Sequence, residues 1–170
     1  MSLYDGIEKV SAPRLPFLSN GDYTLKFVIA STGQNFTDKK EYFRTEVEVL
    51  ESSGPEALVP GTSACIKIDE DPKWGYHKRD IRNLVAAVMD EPETAVTGAI
   101  VDQLLAEDNP ASGETFYARR GYFQNPKTGG AFVKTVFASD RSKLPPTVAP
   151  PDAANDEEVE TPKKVGRRTK

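Results

Sequence analysis

The sequence predicts a mainly β protein, a five-stranded small barrel with a helical insertion between its third and fourth strands. Three observations carry this. Segments that alternate apolar and polar residues recur between turn formers, the period-two signature of half-buried strands. Between the third and fourth of them lies a stretch whose apolar residues recur at helical spacing. The last two strands, within residues 115–139, contain no acidic residue and flank Asn125-Pro126-Lys127-Thr128-Gly129-Gly130, a cluster of turn formers that makes a β-hairpin with a projecting tip.

Residues 1–20 carry Pro13, Pro16 and the turn former Ser19-Asn20-Gly21. They read as a lead-in without helix that docks Leu15, Phe17 or Leu18 onto the body. From Asp22 onward, Tyr23, Leu25, Phe27 and Ile29 fall on one face and Thr24, Lys26 and Val28 on the other, which makes the first strand. Residues 31–40 are expected to be a loop that projects beyond the sheet. The second strand, 41–52, turns Phe43, Val47 and Val49 inward and leaves Tyr42, Arg44, Glu46 and Glu48 on the wet side. Ser53-Gly54-Pro55 breaks it, and Pro60-Gly61 supplies a tight turn before the third strand. There Ala64, Ile66 and Ile68 point inward, while Cys65, Lys67 and Asp69 point out.

Asp80 is the predicted cap of a helix over 81–90, ended by Pro92, and Thr97 that of a second over 99–107. Their stripes, Ile81, Leu84, Val85 and Val88, then Ile100, Val101, Leu104 and Leu105, are expected to be core. Beyond Leu144, a stretch with almost no large apolar residue is predicted to be a disordered tail over 145–170. It is charge-segregated: Asp152, Asp156, Glu157, Glu158 and Glu160 precede Lys163, Lys164, Arg167, Arg168 and Lys170. The folded domain is thus expected to span 21–144.

A chain of 170 residues, 38% of them hydrophobic, supplies one core and hence one domain with its ends. No apolar run approaches the roughly 18 residues of a membrane span. The opening MSLYDGIEKV lacks the layout of a secretion signal, so a cytoplasmic location without membrane contact is expected. The single Cys65 excludes an intramolecular disulfide, and with the single His77 it leaves no Cys/His metal cluster. Cys65 reads as a structural thiol. Asp69, Glu70 and Asp71 are consecutive and do not all converge on one cation from a strand end. Phosphate-loop, nucleophile-elbow and zinc-protease motifs are missing. We therefore expect no catalytic residue, no cofactor and no metal, and not an enzyme.

The net charge of −4 opposes a generic nucleic-acid binder. Its distribution points the other way. Residues 83–114 hold seven acids and no lysine or arginine, whereas 73–82 hold Lys73, Lys78, Arg79 and Arg82 against Asp80. In 115–139, Arg119, Arg120, Lys127 and Lys134 lie among Phe116, Tyr117, Tyr122, Phe123, Phe132 and Phe137. Rings that stack on bases beside cations that neutralise phosphates are what a binder of single strands needs. An ordinary amphipathic hairpin, with its rings in the core and its cations in water, has the same composition.

The order β-β-β-α-β-β is that of an OB-fold. With Gly21-x-Tyr23 opening the first strand, Pro60-Gly61 before the third, and the hairpin from Arg119 and Arg120 to Phe137, the chain resembles the compact OB-fold single-stranded DNA-binding proteins of bacteriophages over residues 20–139. That resemblance implies a non-catalytic protein that coats exposed single-stranded DNA during replication or recombination. Tyr42, Trp74, Tyr76, Tyr122 or Phe123 would stack on bases. Lys26, Arg44, Lys67, Lys78, Arg79, Arg119, Arg120, Lys127 and Lys134 would track phosphates. It also implies recruitment of replication or recombination proteins through an acidic tail, from which this chain departs by ending on a basic tip. A non-catalytic protein-interaction or assembly module on a small β-barrel is the alternative.

Overall fold

The computed structural model describes residues 14–151. Five antiparallel strands, β1 (Gly21–Gln34), β2 (Glu41–Ser53), β3 (Ser63–Asp69), β4 (Thr115–Gln124) and β5 (Ala131–Ala138), form one sheet in the order β3-β2-β1-β4-β5. The sheet curls into a half-barrel, the expected mainly β, OB-fold-like layout. Two helices, α1 (Tyr76–Met89) and α2 (Gly98–Leu105), are inserted between β3 and β4. The edges of β3 and β5 are not hydrogen-bonded to each other, and they meet across a seam with Ile66 and Lys67 on one side and Thr135 and Phe137 on the other. No helix among the described residues is long and apolar enough to cross a membrane.

Alternation fills the core as the sequence requires. Tyr23, Leu25 and Phe27 of β1, Phe43, Val47 and Val49 of β2, Ala64 and Ile66 of β3, and Phe116 and Ala118 of β4 are buried together. Leu84, Val85 and Val88 of α1 and Leu104 of α2 close the open side. Tyr23 also carries a buried polar link. Its hydroxyl donates to the Ser19 carbonyl (2.9 Å) and accepts from the Leu58 N–H (3.1 Å), tying the lead-in and the β2–β3 loop to the barrel. Tyr23→Phe leaves both groups without that partner, so a stability loss of about 1–3 kcal/mol is expected in chemical denaturation; an unchanged midpoint would show that the hydroxyl ties nothing.

Several local expectations are corrected. In β1 the ladder pairs Phe27 with Val47 but Ile29 with Glu46, so Val28 is an extra residue and the alternation changes phase. Ala30, not Ile29, is the next buried residue. A bulge re-aims every side chain beyond it. The strand then continues to Gln34, which leaves a shorter tip over 35–40. Helix α1 begins at Tyr76, not at 81, after Gly75 in the left-handed region (φ 67°), and Asp80 lies within the helix instead of capping it. Thr97 does stand at the cap of α2, though its side chain makes no capping bond.

Both ends of the described chain are tied down. Residue Phe17 forms a parallel bridge to Cys65, and the Cys65 N–H donates to the Pro16 carbonyl (2.9 Å), so the lead-in covers part of the free edge of β3. Cys65, expected to point into solvent, is buried as a result. The tail predicted to start at 145 is attached through Val148, whose N–H donates to the Tyr122 carbonyl (2.8 Å). Thr147 packs where a side chain on Gly121 would stand. Residues 1–13 of the lead-in and the charge-segregated segment 152–170 lie outside the described residues.

Candidate nucleic-acid interface

The register across β1, β2 and β3 builds one wet face in rows. Gly33, Tyr42 and Asp69 form one row, and Ser31, Arg44 and Lys67 the next. Tyr42 needs Gly33 as its neighbour, since a Cβ there would lie 2.5 Å from the phenol oxygen. Lys67 lies over the Tyr42 ring (4.7 Å), hydrogen-bonds Asn35 (2.5 Å) and pairs with Asp69 (2.9 Å), while Asn35 also donates to Asp69 (3.0 Å). The Arg44 guanidinium approaches Glu46 (3.5 Å), and its Nε is buried without a hydrogen-bond partner among the described residues.

Over this face lies a groove of about 670 Å³, walled by the lead-in through Arg14 and Phe17 and by the β1–β2 tip through Asn35 and Phe36. Phe17 is 61% exposed and Phe36 91% exposed. Neither ring was singled out in the sequence as a stacking residue. The signal was present for Phe36, a large ring among polar residues at a hairpin tip, because only a partner removes such a ring from water. From Phe17 and Lys67 the groove continues into the β3–β5 seam, where Arg120, Lys134 and Tyr76 stand.

The fourteen sequence-derived candidates therefore separate into groups. Tyr42, Arg44 and Lys67 share the groove; Tyr76, Arg120 and Lys134 share the seam with Lys67. Trp74 and Arg79 join Tyr76 through ring contacts at the start of α1. Lys78 is exposed on α1 and lines a neighbouring cleft with Tyr42 and His77. The remaining five serve elsewhere. Lys26 is paired with Glu48. Arg119 grips Asp22 through Nε (2.5 Å) and Nη2 (2.9 Å) and donates to the Pro145 carbonyl (2.8 Å), which makes it a clamp on the chain end. That hydrogen-bonded carboxylate raises its pKa against the opposing effect of burial. Phe123 is buried beneath Lys134 (5.1 Å). Tyr122 faces the attached segment at Thr147 and Val148, and Lys127 sits exposed at the hairpin tip. Strand alternation explains the separation of Arg119 from Arg120, since neighbours on a strand point to opposite faces.

Acids are less cleanly sorted than the sequence suggests. The seven acids of the insert are all exposed and none lines the groove or seam. Glu46, Asp69, Asp71 and Asp80 do line them, each engaged locally: Glu46 with Arg44, Asp69 with Lys67, Asp71 with the Lys73 and Trp74 N–H groups, Asp80 with Arg79. Burial raises the Asp69 pKa, but the hydrogen bonds from Asn35 and Lys67 outweigh it and hold the carboxyl below its ordinary 3.8. A depressed carboxylate stabilises the fold above the unfolded value and loses that contribution as pH falls through the folded one. An NMR titration should therefore find the Asp69 midpoint under 3.8 and the tip at Asn35 loosening only in acid. A midpoint at or above 3.8 would mean that the network does not persist in solution.

Cys65 is held in surroundings that favour its protonated thiol. Burial raises its pKa despite the nearby Arg44, and the thiol faces the Leu15 carbonyl (3.7 Å). Among the described residues no cluster of acids, histidine and cysteine is arranged to hold a metal. No protein-family model matches the chain, and no curated protein matches its sequence.

Proposed function

We propose that the protein binds single-stranded DNA without sequence preference, as a coat on exposed strands in replication or recombination. One observation carries the reading: Phe17, Phe36 and Tyr42 surround a groove that Lys67 and Arg44 also line. Exposed rings offer stacking surfaces to any base, and the cations neutralise the backbone, which together give affinity without base readout. The local pairing of the groove acids leaves Arg120 and Lys134, neither within ion-pair distance of a carboxylate among the described residues, to face phosphates.

Titration of labelled oligo-dT at two salt concentrations tests this. Binding should weaken steeply with salt, by about −0.7 in log–log slope for each phosphate neutralised. Replacing Arg120 and Lys134 together by alanine should flatten that slope by about 1.4, whereas Arg119→Ala should loosen residues 145–151 and leave the slope unchanged. Equal slopes in the wild type and the double variant would remove the seam from the interface. A second reading, a protein-interaction module, is favoured by exposed Phe132, Val133 and Val148 beside the β4–β5 hairpin. Flat oligonucleotide titrations at low salt would select it.

A further inference from the structure

Residues 71–77 are organised to hold two rings out in solvent. The Asp71 carboxylate accepts from the N–H groups of Lys73 (3.2 Å) and Trp74 (3.1 Å), its carbonyl accepts from Gly75 (2.8 Å), and its own N–H donates to His77 Nδ1 (3.0 Å). Gly75 takes φ 67° with nothing within 4 Å of a would-be Cβ, so the position needs glycine for its backbone conformation alone. The outcome is a near-parallel pair: Trp74 and Tyr76 have ring planes 15° apart and centroids 6.3 Å apart, yet they stay 63% and 51% exposed. Lys73 lies 4.9 Å from the Trp74 ring and Arg79 5.2 Å from the Tyr76 ring. A loop with four hydrogen bonds that leaves its two largest rings uncovered is preorganised for something flat.

Tyr76 also lines the seam, which joins the Phe36–Tyr42 groove through Lys67 and Arg120. We propose that Trp74 and Tyr76 form a second base-stacking subsite, so that one single strand crosses the β3 edge from the groove, past Lys67, Arg120 and Lys134, to this pair. The proposal rests on the nucleic-acid reading above and adds a path to it. A strand too short to reach both subsites engages one; a longer strand gains the second intramolecularly. Stacking of one further base then raises affinity by about 5- to 150-fold.

Trp74 is the only tryptophan of the chain, so its emission reports this subsite directly. The full chain is titrated with end-labelled oligo-dT of about 3 to 15 nucleotides, bracketing the site sizes of single OB-folds, and with an oligo-rU series beside it. Label and Trp74 emission are read separately. Expected are binding of the short strands seen by the label, then quenching of Trp74 with a step in affinity once the strand spans both subsites. Tyr76→Ala should remove the step, and Gly75→Ala should act in the same direction by tilting both rings. A step with either sugar supports the path and identifies the strand it takes. Tight binding of long strands with unmoved Trp74 emission and wild-type affinity in Tyr76→Ala would overturn the second subsite while leaving the groove standing. A label signal flat at every length would overturn both.

Discussion

Joint replacement of Phe36 and Tyr42 by alanine should weaken oligo-dT binding by about 2–6 kcal/mol, at about 1–3 kcal/mol for each stacked base. That is a drop of roughly 30-fold to 10⁴-fold in affinity. Both rings line the groove, Phe36 on the tip of the β1–β2 hairpin and Tyr42 on the sheet face beneath it. Their structural roles differ. Phe36, 91% exposed and touched by the Lys39 ammonium (4.8 Å), has little packing to lose, so Phe36→Ala alone should leave the melting temperature unchanged. Tyr42 covers Gly33 and lies beneath Lys67, so its removal uncovers backbone and frees a cation. A modest stability loss should accompany that variant. Fluorescence anisotropy and a thermal melt on each single variant and the pair separate these effects. Wild-type affinity in the pair would move the binding surface away from β2 and β3 altogether.

Gly21→Ala should be among the most damaging single changes in the barrel. Gly21 has φ 153°, and a Cβ there would stand 2.6 Å from the Ala57 Cβ and 2.8 Å from the Ser53 carbonyl oxygen. Ser53 is the end of β2 and has no flexible side chain to move aside, since the clash is with backbone. Strained conformation costs about 1–3 kcal/mol, and overpacking a further ~1–3 kcal/mol. Together, about 2–6 kcal/mol, they take a large share of the ~5–15 kcal/mol that holds a domain folded. The damage should spread to Asp22 and Tyr23, and thereby to the Arg119 clamp and the Ser19–Leu58 link. Urea denaturation reads the loss directly. A Gly21→Ala protein as stable as the wild type would mean that the β2–β3 loop at Ala57 moves freely.

How much of this was legible in the chain depends on range. Tyr23, Leu25 and Phe27, or Phe43, Val47 and Val49, announce strands because a half-buried strand must alternate, and alternation is local. The wet face of β2 and β3 followed from the same rule, which is why Tyr42, Arg44 and Lys67 were found together. The bulge at Val28 was not legible, since it depends on the pairing partner Glu46 and the backbone of residues 113–114. Helix α1 was read too short because Tyr76, His77, Lys78 and Arg79 form a polar first turn without an apolar stripe. Its start is set by Gly75 and by the Asp71 network.

Composition also misplaced some cations. Lys26 and Arg119 count as positive charges in any tally, yet each faces a carboxylate on the neighbouring strand, Glu48 and Asp22. Those partners are separated from them in sequence and adjacent only through the ladder.

The sequence by itself determined the five strands, the helical insertion and, apart from β1 beyond the Val28 bulge and the covered Cys65, which side chains of the strands face water, because these follow from periodicity and turn chemistry a few residues long. Only the tertiary structure decided which rings and cations share a groove, that Arg119 clamps residues 144–145 while Arg120 faces the seam, and that Phe17 and Phe36 stand beside Tyr42. Those outcomes depend on strand register and on how far the sheet curls, and both are set by contacts between residues distant in the chain.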